Sequence, residues 1–297
     1  MCIAEYSLNR IPPEVYLEPD SPLAFYRDFV SQNKPVIIRN GVYNWPALKY
    51  WSENEYLLEK CNSEKLIKVS VTPNGYADAI TEGKFVMPHE EEMTLESFLK
   101  IMKNPGNNVY YIQRQNSNLI EEMSELMEDI QELPWAKEAF NKEPDAINFW
   151  MGDSRAVTST HKDPYENIYC VVKGYKDITL FPPTDLPWLP YEMFDQAIFE
   201  KNMDGNFSIK TLDENPKIPW IPVDPLNPDL EKYPDFVNAH PVKLRLNAGD
   251  VLYLPSLWFH HLKQSQGCIA VNFWYDMDFD VKFNYFNFVK DICEIRQ

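Results

Sequence analysis

Apolar residues in this chain fall mostly into short blocks bounded by Gly, Pro, Asn and Asp, the pattern of strands and turns rather than of long helices. PVIIR (35–39) reads as a short buried strand after the polar entry Asn33-Lys34. Asn44-Trp45-Pro46-Ala47-Leu48 breaks the chain and leads toward a helix near Ser52 to Glu59. Thr94 is placed to cap a helix, with Leu95, Phe98, Leu99 and Met102 at i, i+3, i+4 and i+7 of one face. VYYIQ (109–113) reads as a strand, and Glu121 to Leu133 as an acidic helix striped by Leu119, Met123, Leu126, Met127 and Ile130.

The centre is richer in strands. Asn167 to Val172 and Lys176 to Phe181 are two strand-like runs joined by Lys173-Gly174-Tyr175, which reads as a hairpin. Between Pro182 and Pro241 lie 11 of the 24 prolines, which predicts a long surface insertion, since proline cannot donate to a strand ladder. Strands resume at 242–246, turn at Asn247-Ala248-Gly249-Asp250, and continue at 251–254 and 268–274. From Asp278 the period becomes helical, with Val281, Tyr285, Phe288, Val289 and Ile292 on one stripe. This is a mainly β pattern with helical additions. It predicts a double-stranded β-helix, a jelly roll of the cupin type, with N-terminal and C-terminal helices. One domain over residues 1–297 is expected. Its parts are a mixed segment 1–108, a β-helix core 109–276 that includes the insertion 182–241, and a helical end 277–297.

Composition narrows the function classes. The 297 residues are 44% apolar and 14% aromatic, which describes a globular chain able to bury a sizeable core. No run of about 18 apolar residues predicts a membrane span, and residues 1–9 lack the basic and apolar segments of a secretory signal. The five cysteines form no CxxC pair, which speaks against a zinc ribbon and for reduced thiols in the cytoplasm and nucleus. A net charge of -17 with no basic cluster speaks against direct nucleic-acid binding.

The candidate chemistry begins at His161-Lys162-Asp163. Residues i and i+2 of a strand share a face, so imidazole and carboxylate can converge on one metal ion. Of the remaining histidines (His89, His240, His260 and His261), the pair His260-His261 follows a strand ending at Leu254-Pro255 and can supply a third ligand. Two histidines and one carboxylate leave open positions on a metal, as non-haem iron oxygenases require. An isolated His-x-Asp arises by chance on surface strands. Lys176 alters that weighing, because a lysine turned inward from an apolar strand needs an anion, such as a cosubstrate carboxylate, beside it.

The runs AVTSTHKDPYENIYCVVKGYKDITLFPP, AGDVLYLPSLWFHHL and GCIAVNFWYDM resemble, in that order, a Jumonji-C 2-oxoglutarate oxygenase domain. PVIIRNGVYNWPALKYW and YIQRQNSNL extend the resemblance over nearly the whole chain, toward the asparaginyl and lysyl hydroxylase branch. The resemblance implies Fe(II) held by His161, Asp163 and His260, with 2-oxoglutarate and O2 as cosubstrates. It assigns Lys176, Thr158 and Tyr111 to the far carboxylate of 2-oxoglutarate, Asn167 and Asn272 to the border of cosubstrate and metal, and Trp274 to the substrate wall. His261 is expected to be a packed neighbour, and His89 and His240 to be solvated. The acidic run of Glu121, Glu122, Glu125, Glu128, Asp129 and Glu132 is expected to be a wet helix face.

The implied reaction couples decarboxylation of 2-oxoglutarate to succinate with hydroxylation of a C–H bond, in this branch (3S)-lysyl hydroxylation of a protein such as a developmentally regulated GTP-binding protein. Lysine demethylation is the nearest alternative. Peptidase action on basic tails by a metal-bound water, and a non-catalytic binding cupin, are the readings from other classes. The resemblance further implies a homodimer through the C-terminal helix.

Overall fold

In the computed structural model, which describes residues 14–16 and 19–295, the short apolar blocks become strands. The first half holds β1 (Glu14–Tyr16), β2 (Val36–Arg39), β3 (Leu66–Thr72), β4 (Tyr76–Ala77), β5 (Ala79–Thr81), β6 (Lys84–Met87), β7 (His89–Thr94) and β8 (Val109–Ile112). Next come β9 (Ala146–Gly152), β10 (Val157–His161), β11 (Tyr165–Lys173) and β12 (Tyr175–Phe181). Four more, β13 (Glu192–Phe194), β14 (Gln196–Lys201), β15 (Phe207–Thr211) and β16 (Ile218–Trp220), precede β17 (Val242–Asn247), β18 (Val251–Leu254), β19 (Phe259–Gln264) and β20 (Cys268–Asp276). The helices are α1 (Pro22–Phe25), α2 (Pro46–Tyr50), α3 (Asn54–Lys60), α4 (Leu95–Lys103), α5 (Asn118–Met123), α6 (Pro134–Phe140) and α7 (Val281–Ile295).

Two sheets form the jelly roll. A nine-stranded sheet runs β1-β2-β18-β11-β20-β9-β8-β3-β7, and a five-stranded sheet runs β17-β12-β19-β10-β4. Tyr169, Val171, Leu252 and Ala270 of the first pack on Ile178, Leu180, Val242 and Leu262 of the second. On its other face the large sheet turns Ile168, Cys170, Val172 and Tyr253 to the helices, against Phe25, Trp135 and Phe98. Burial on both faces explains why β11 is continuously apolar instead of alternating.

Several local expectations hold. Thr94 caps α4, its Oγ1 accepting from the Ser97 amide at 3.3 Å, and Leu95, Phe98, Leu99 and Met102 are all buried. Three expectations need correction. β11 and β12 do not pair: β11 lies between β18 and β20, and β12 between β17 and β19. Gly174, at φ 74°, turns the chain from one sheet to the other where a Cβ would collide with the Ser265 hydroxyl. The proline-rich insertion is no plain loop, because β14 pairs parallel with β6 and antiparallel with β15, so it adds a sheet beside the core. The predicted helix 121–133 is the short α5 followed by a 3-10 segment, Ser124–Asp129. Its acidic face is not uniformly wet. Asp129 is buried and accepts from Trp51 Nε1 at 2.9 Å and Tyr56 Oη at 2.8 Å, and Glu122 accepts from the Lys68 amide and from Arg114.

Candidate metal centre

Strand register assembles the first three residues. His161 on β10 lies directly across from His260 on β19, while Thr158 pairs with Leu262. Three residues on β10 therefore span two on β19, a bulge at Ser159–Thr160. The extra residue flips side-chain parity, so Thr158 and His161, three apart, both line the interior cavity together with Asp163 and His260. The Asp163 Oδ2 lies 3.6 Å from His161 Nε2 and 3.4 Å from His260 Nε2, and the three ligand-type atoms fit within 4.8 Å of one another.

The donor set is oriented for a cation. His161 Nδ1 donates to the Ser159 carbonyl at 2.8 Å, and His260 Nδ1 to the Trp258 carbonyl at 3.0 Å. A carbonyl only accepts, so each ring carries a proton on Nδ1 and turns Nε2 to Asp163, whose charge raises the His161 imidazole against the effect of burial. Burial opposes the Asp163 charge, but the two imidazoles overcome it and hold the carboxyl well below the usual carboxylate range. His260 is lowered by burial and by His161, which keeps it a neutral donor.

Lys176 lies behind this triad. Its side chain is 1% exposed, its Nζ donates to Tyr111 Oη at 2.9 Å and to Gln264 Oε1, and the Tyr169 ring is 6.0 Å away. Burial works against the ammonium, and the tyrosine oxygens around it outweigh that effect and keep it charged. Burial also lifts the Tyr111 phenol above its usual value despite the ammonium, so it remains a donor. Among the described residues no carboxylate pairs with Lys176. A buried cation with only neutral acceptors fits an anionic ligand group. Gly152 makes the cage possible, because a Cβ there would collide with the Tyr111 ring and the Gln264 amide.

The remaining predicted residues gather here too. Asn272 Oδ1 accepts from Trp150 Nε1 at 2.7 Å, and its Nδ2 donates to Asn167 Oδ1 at 3.1 Å. Asn167 and Trp274 line the cavity. Trp274 stacks on Tyr165 at 4.7 Å, and its buried indole N–H has no partner among the described residues. Asn167 does not lie on the strand of His161. It belongs to β11 of the opposite sheet and reaches the cavity from there. His261, 2% exposed, turns away to lie 3.8 Å from Asp224, and burial pushes it down to about 4. His240 is not simply solvated, since its Nδ1 meets Asp185 at 2.8 Å, and His89 lines a groove instead of facing bulk water.

That groove, about 780 Å³, opens onto the triad and shares Trp150, Thr158, His161 and Asp163 with the inner cavity. Its walls include Asp78, Phe85 and Trp220, none of which the sequence singled out. Burial pushes the Asp78 carboxyl up to about 6, with His161 opposing. Gln264 and Tyr169 were missed as well. Gly152, a glycine inside a strand, was the one readable signal of close packing there.

The chain matches a family model described as a cupin-like domain over residues 22–281. It is 47% identical over 285 residues to the human bifunctional peptidase and (3S)-lysyl hydroxylase JMJD7, covering 94% of this chain and 89% of that protein. JmjC domain-containing protein E of Dictyostelium discoideum is 41% identical over 95% of this chain and 89% of its own length. Lysine-specific demethylase JMJ32 of Arabidopsis thaliana is 40% identical over 92% of this chain and 84% of its own. A jelly roll, an inward His-Asp-His triad and likeness at this level over nearly the full length have one explanation: the chain belongs to the cupin-like Jumonji-C family.

Proposed function

We propose that this chain is an Fe(II)- and 2-oxoglutarate-dependent protein hydroxylase that acts on a lysyl side chain, making the (3S)-hydroxylysyl product. The observation that carries the reading is the buried, carboxylate-free ammonium of Lys176, which donates to Tyr111, a residue lining the same cavity as the His161-Asp163-His260 triad. The likeness to a (3S)-lysyl hydroxylase supports the choice of residue and carbon.

His161, Asp163 and His260 would hold Fe(II). Lys176, with Tyr111 and Thr158, would bind the far carboxylate of 2-oxoglutarate, and Asn167 and Asn272 would border its reactive end. When bound, the iron and 2-oxoglutarate supply the oxidising chemistry with O2, yielding succinate and CO2. The protein's own part is placement. The carbonyls of Ser159 and Trp258 lock both imidazoles with Nε2 inward. The indoles of Trp150 and Trp274 exclude water, and the Trp150-Asn272-Asn167 relay fixes the amides at the cavity wall.

Peptidase or demethylase action at the same centre is the second reading, favoured by the names of two relatives. A hydrolytic water needs no carboxylate anchor, which leaves the Lys176 cage unexplained under the peptidase reading. Intact-mass analysis of candidate proteins, basic GTP-binding proteins among them, after incubation with enzyme, Fe(II) and 2-oxoglutarate tests both. Gain of one oxygen, about 16 Da, with matching succinate release supports hydroxylation. Loss of methyl groups, or cleavage without 2-oxoglutarate, overturns it.

We also place the chain in the cytoplasm and nucleus, in keeping with the unpaired Cys61, Cys170 and Cys268, and read it as a homodimer. On α7, Phe286 is buried and Phe283 and Val289 pack inward, yet Val281, Tyr285 and Phe288 are exposed beside Phe279. Such a face fits a second copy. Sedimentation of Phe288→Glu checks this, and a mass equal to wild type refutes it.

A further inference from the structure

Beside the triad, one serine welds two groove residues to the strand that carries His161. The Ser159 hydroxyl, in the β10 bulge, donates to the Asp78 carbonyl at 2.6 Å and accepts from Trp220 Nε1 at 3.0 Å. The Trp220 ring lies parallel to the His161 imidazole, at 6.0 Å and 5°, and the Phe85 ring lies against the same indole at 4.6 Å and 57°. Asp78 directly follows β4, which pairs in parallel with β10. Its φ of 51° lies in the left-handed region, a conformation that aspartate tolerates but that is usually held only where the surroundings impose it. Among the described residues its carboxylate accepts no hydrogen bond and pairs with no lysine or arginine, His161 being the group of opposite charge that acts on it. A partly buried anion and two aromatic rings thus share one groove wall a few ångströms from the metal ligands.

We infer that Asp78, with Trp220 and Phe85, forms the subsite that receives the ammonium of the target side chain and so sets the specificity of the reaction. The inference rests on the lysyl reading given above. In an extended lysyl side chain the ammonium stands four bonds, about 5 Å, from the C3 carbon. A carboxylate in the groove that His161 also lines stands where such an ammonium would reach when C3 faces the metal. Aromatic faces attract a cation through their quadrupole, and a carboxylate paired with no lysine or arginine supplies the opposite charge. Norleucine, which ends at the Cε carbon and lacks the ammonium, satisfies neither. Asp78 and Trp220 are positioning residues for the substrate and take no part in the oxidation.

The test uses the full chain loaded with Mn(II) and 2-oxoglutarate, titrated with Nα-acetyl-lysine methylamide or its norleucine or arginine analogue. Broadening of probe protons by Mn(II) reports both affinity and proximity to the metal. Wild type should bind the lysyl probe about tenfold more tightly than the norleucine probe, the scale of a desolvated cation–π and charge contact. Asp78→Asn should erase that preference, and Trp220→Leu should weaken it several-fold (about three- to tenfold). Equal binding of the two probes by wild type, no binding of either, or tighter binding of the arginyl probe overturns the inference. So does a folded Asp78→Asn that keeps the preference, and if Asp78→Asn does not fold, an undiminished preference in Trp220→Leu decides against it. Ammonium preference without oxygen gain in any candidate protein would sink the hydroxylase reading alone. Oxygen gain without the preference would sink the subsite alone.

Discussion

Replacing Lys176 by methionine separates the anchoring role of this residue from any structural one. The ammonium is 1% exposed and its acceptors, Tyr111 Oη and Gln264 Oε1, are neutral. Taking the ion out of water costs several kcal/mol, and two charge-assisted hydrogen bonds of about 1.5–3 kcal/mol each return a similar amount. Methionine has nearly the same length and removes both contributions. The ligand-free protein should therefore change by no more than about 1–2 kcal/mol, a Tm shift of a few degrees (about 2–4 °C) at most. With 2-oxoglutarate the balance tips. Loss of one member of a buried ion pair costs about 2–5 kcal/mol, which is about thirty- to four-thousand-fold in Kd. Thermal unfolding across a 2-oxoglutarate titration at fixed Mn(II) reads this directly. At 100 times its Kd the ligand should stabilise wild type by about 2.7 kcal/mol, and the same concentration should leave Lys176→Met nearly unmoved while Mn(II) still stabilises it. A variant that binds 2-oxoglutarate within about threefold of wild type refutes the assignment.

Three further predictions test the scaffold. Asp129→Ala strands the Trp51 indole N–H and the Tyr56 hydroxyl, and should lower urea-derived stability by about 2–4 kcal/mol with m unchanged. Gly152→Ala drives a methyl into Tyr111 and Gln264, and should cost about 1–3 kcal/mol and raise the KM for 2-oxoglutarate more than it lowers kcat. His261, pushed by burial down to about 4, is neutral in the folded chain while its unfolded counterpart takes up a proton near pH 6.5. Stability from this group is therefore present above pH 6.5 and is lost as pH falls toward 4, by up to about 3 kcal/mol. In His261→Gln the pH dependence of unfolding between those limits should be shallower by that proton, and an identical slope would refute the assignment.

What was legible in the sequence was what local chemistry controls. The apolar block at 167–172, the Thr94 cap with its i, i+3, i+4, i+7 face, and the turn at Gly249 follow from propensities that act within a few residues. His161, Asp163 and Lys176 stood out because a His-x-Asp pair and a charge in an apolar strand are unusual residue patterns, whereas His260 was separated from His261 only by the family resemblance. Tertiary structure decided how those strands meet. Nothing local in Lys173-Gly174-Tyr175 distinguishes a hairpin from a crossing between sheets; burial of β11 on both faces does. The β10 bulge, which brings Thr158 to the same side as His161, is defined only against β19. Asp129 became a buried acceptor only because Trp51 and Tyr56, more than seventy residues earlier, point donors at it. The groove of Asp78, Phe85 and Trp220 likewise joins segments whose nearness depends on the pairing of β14 with β6. Short-range pattern reports which side chains a strand or helix offers, whereas register and partner choice come from packing many weak contacts at once, and only the folded chain sums them.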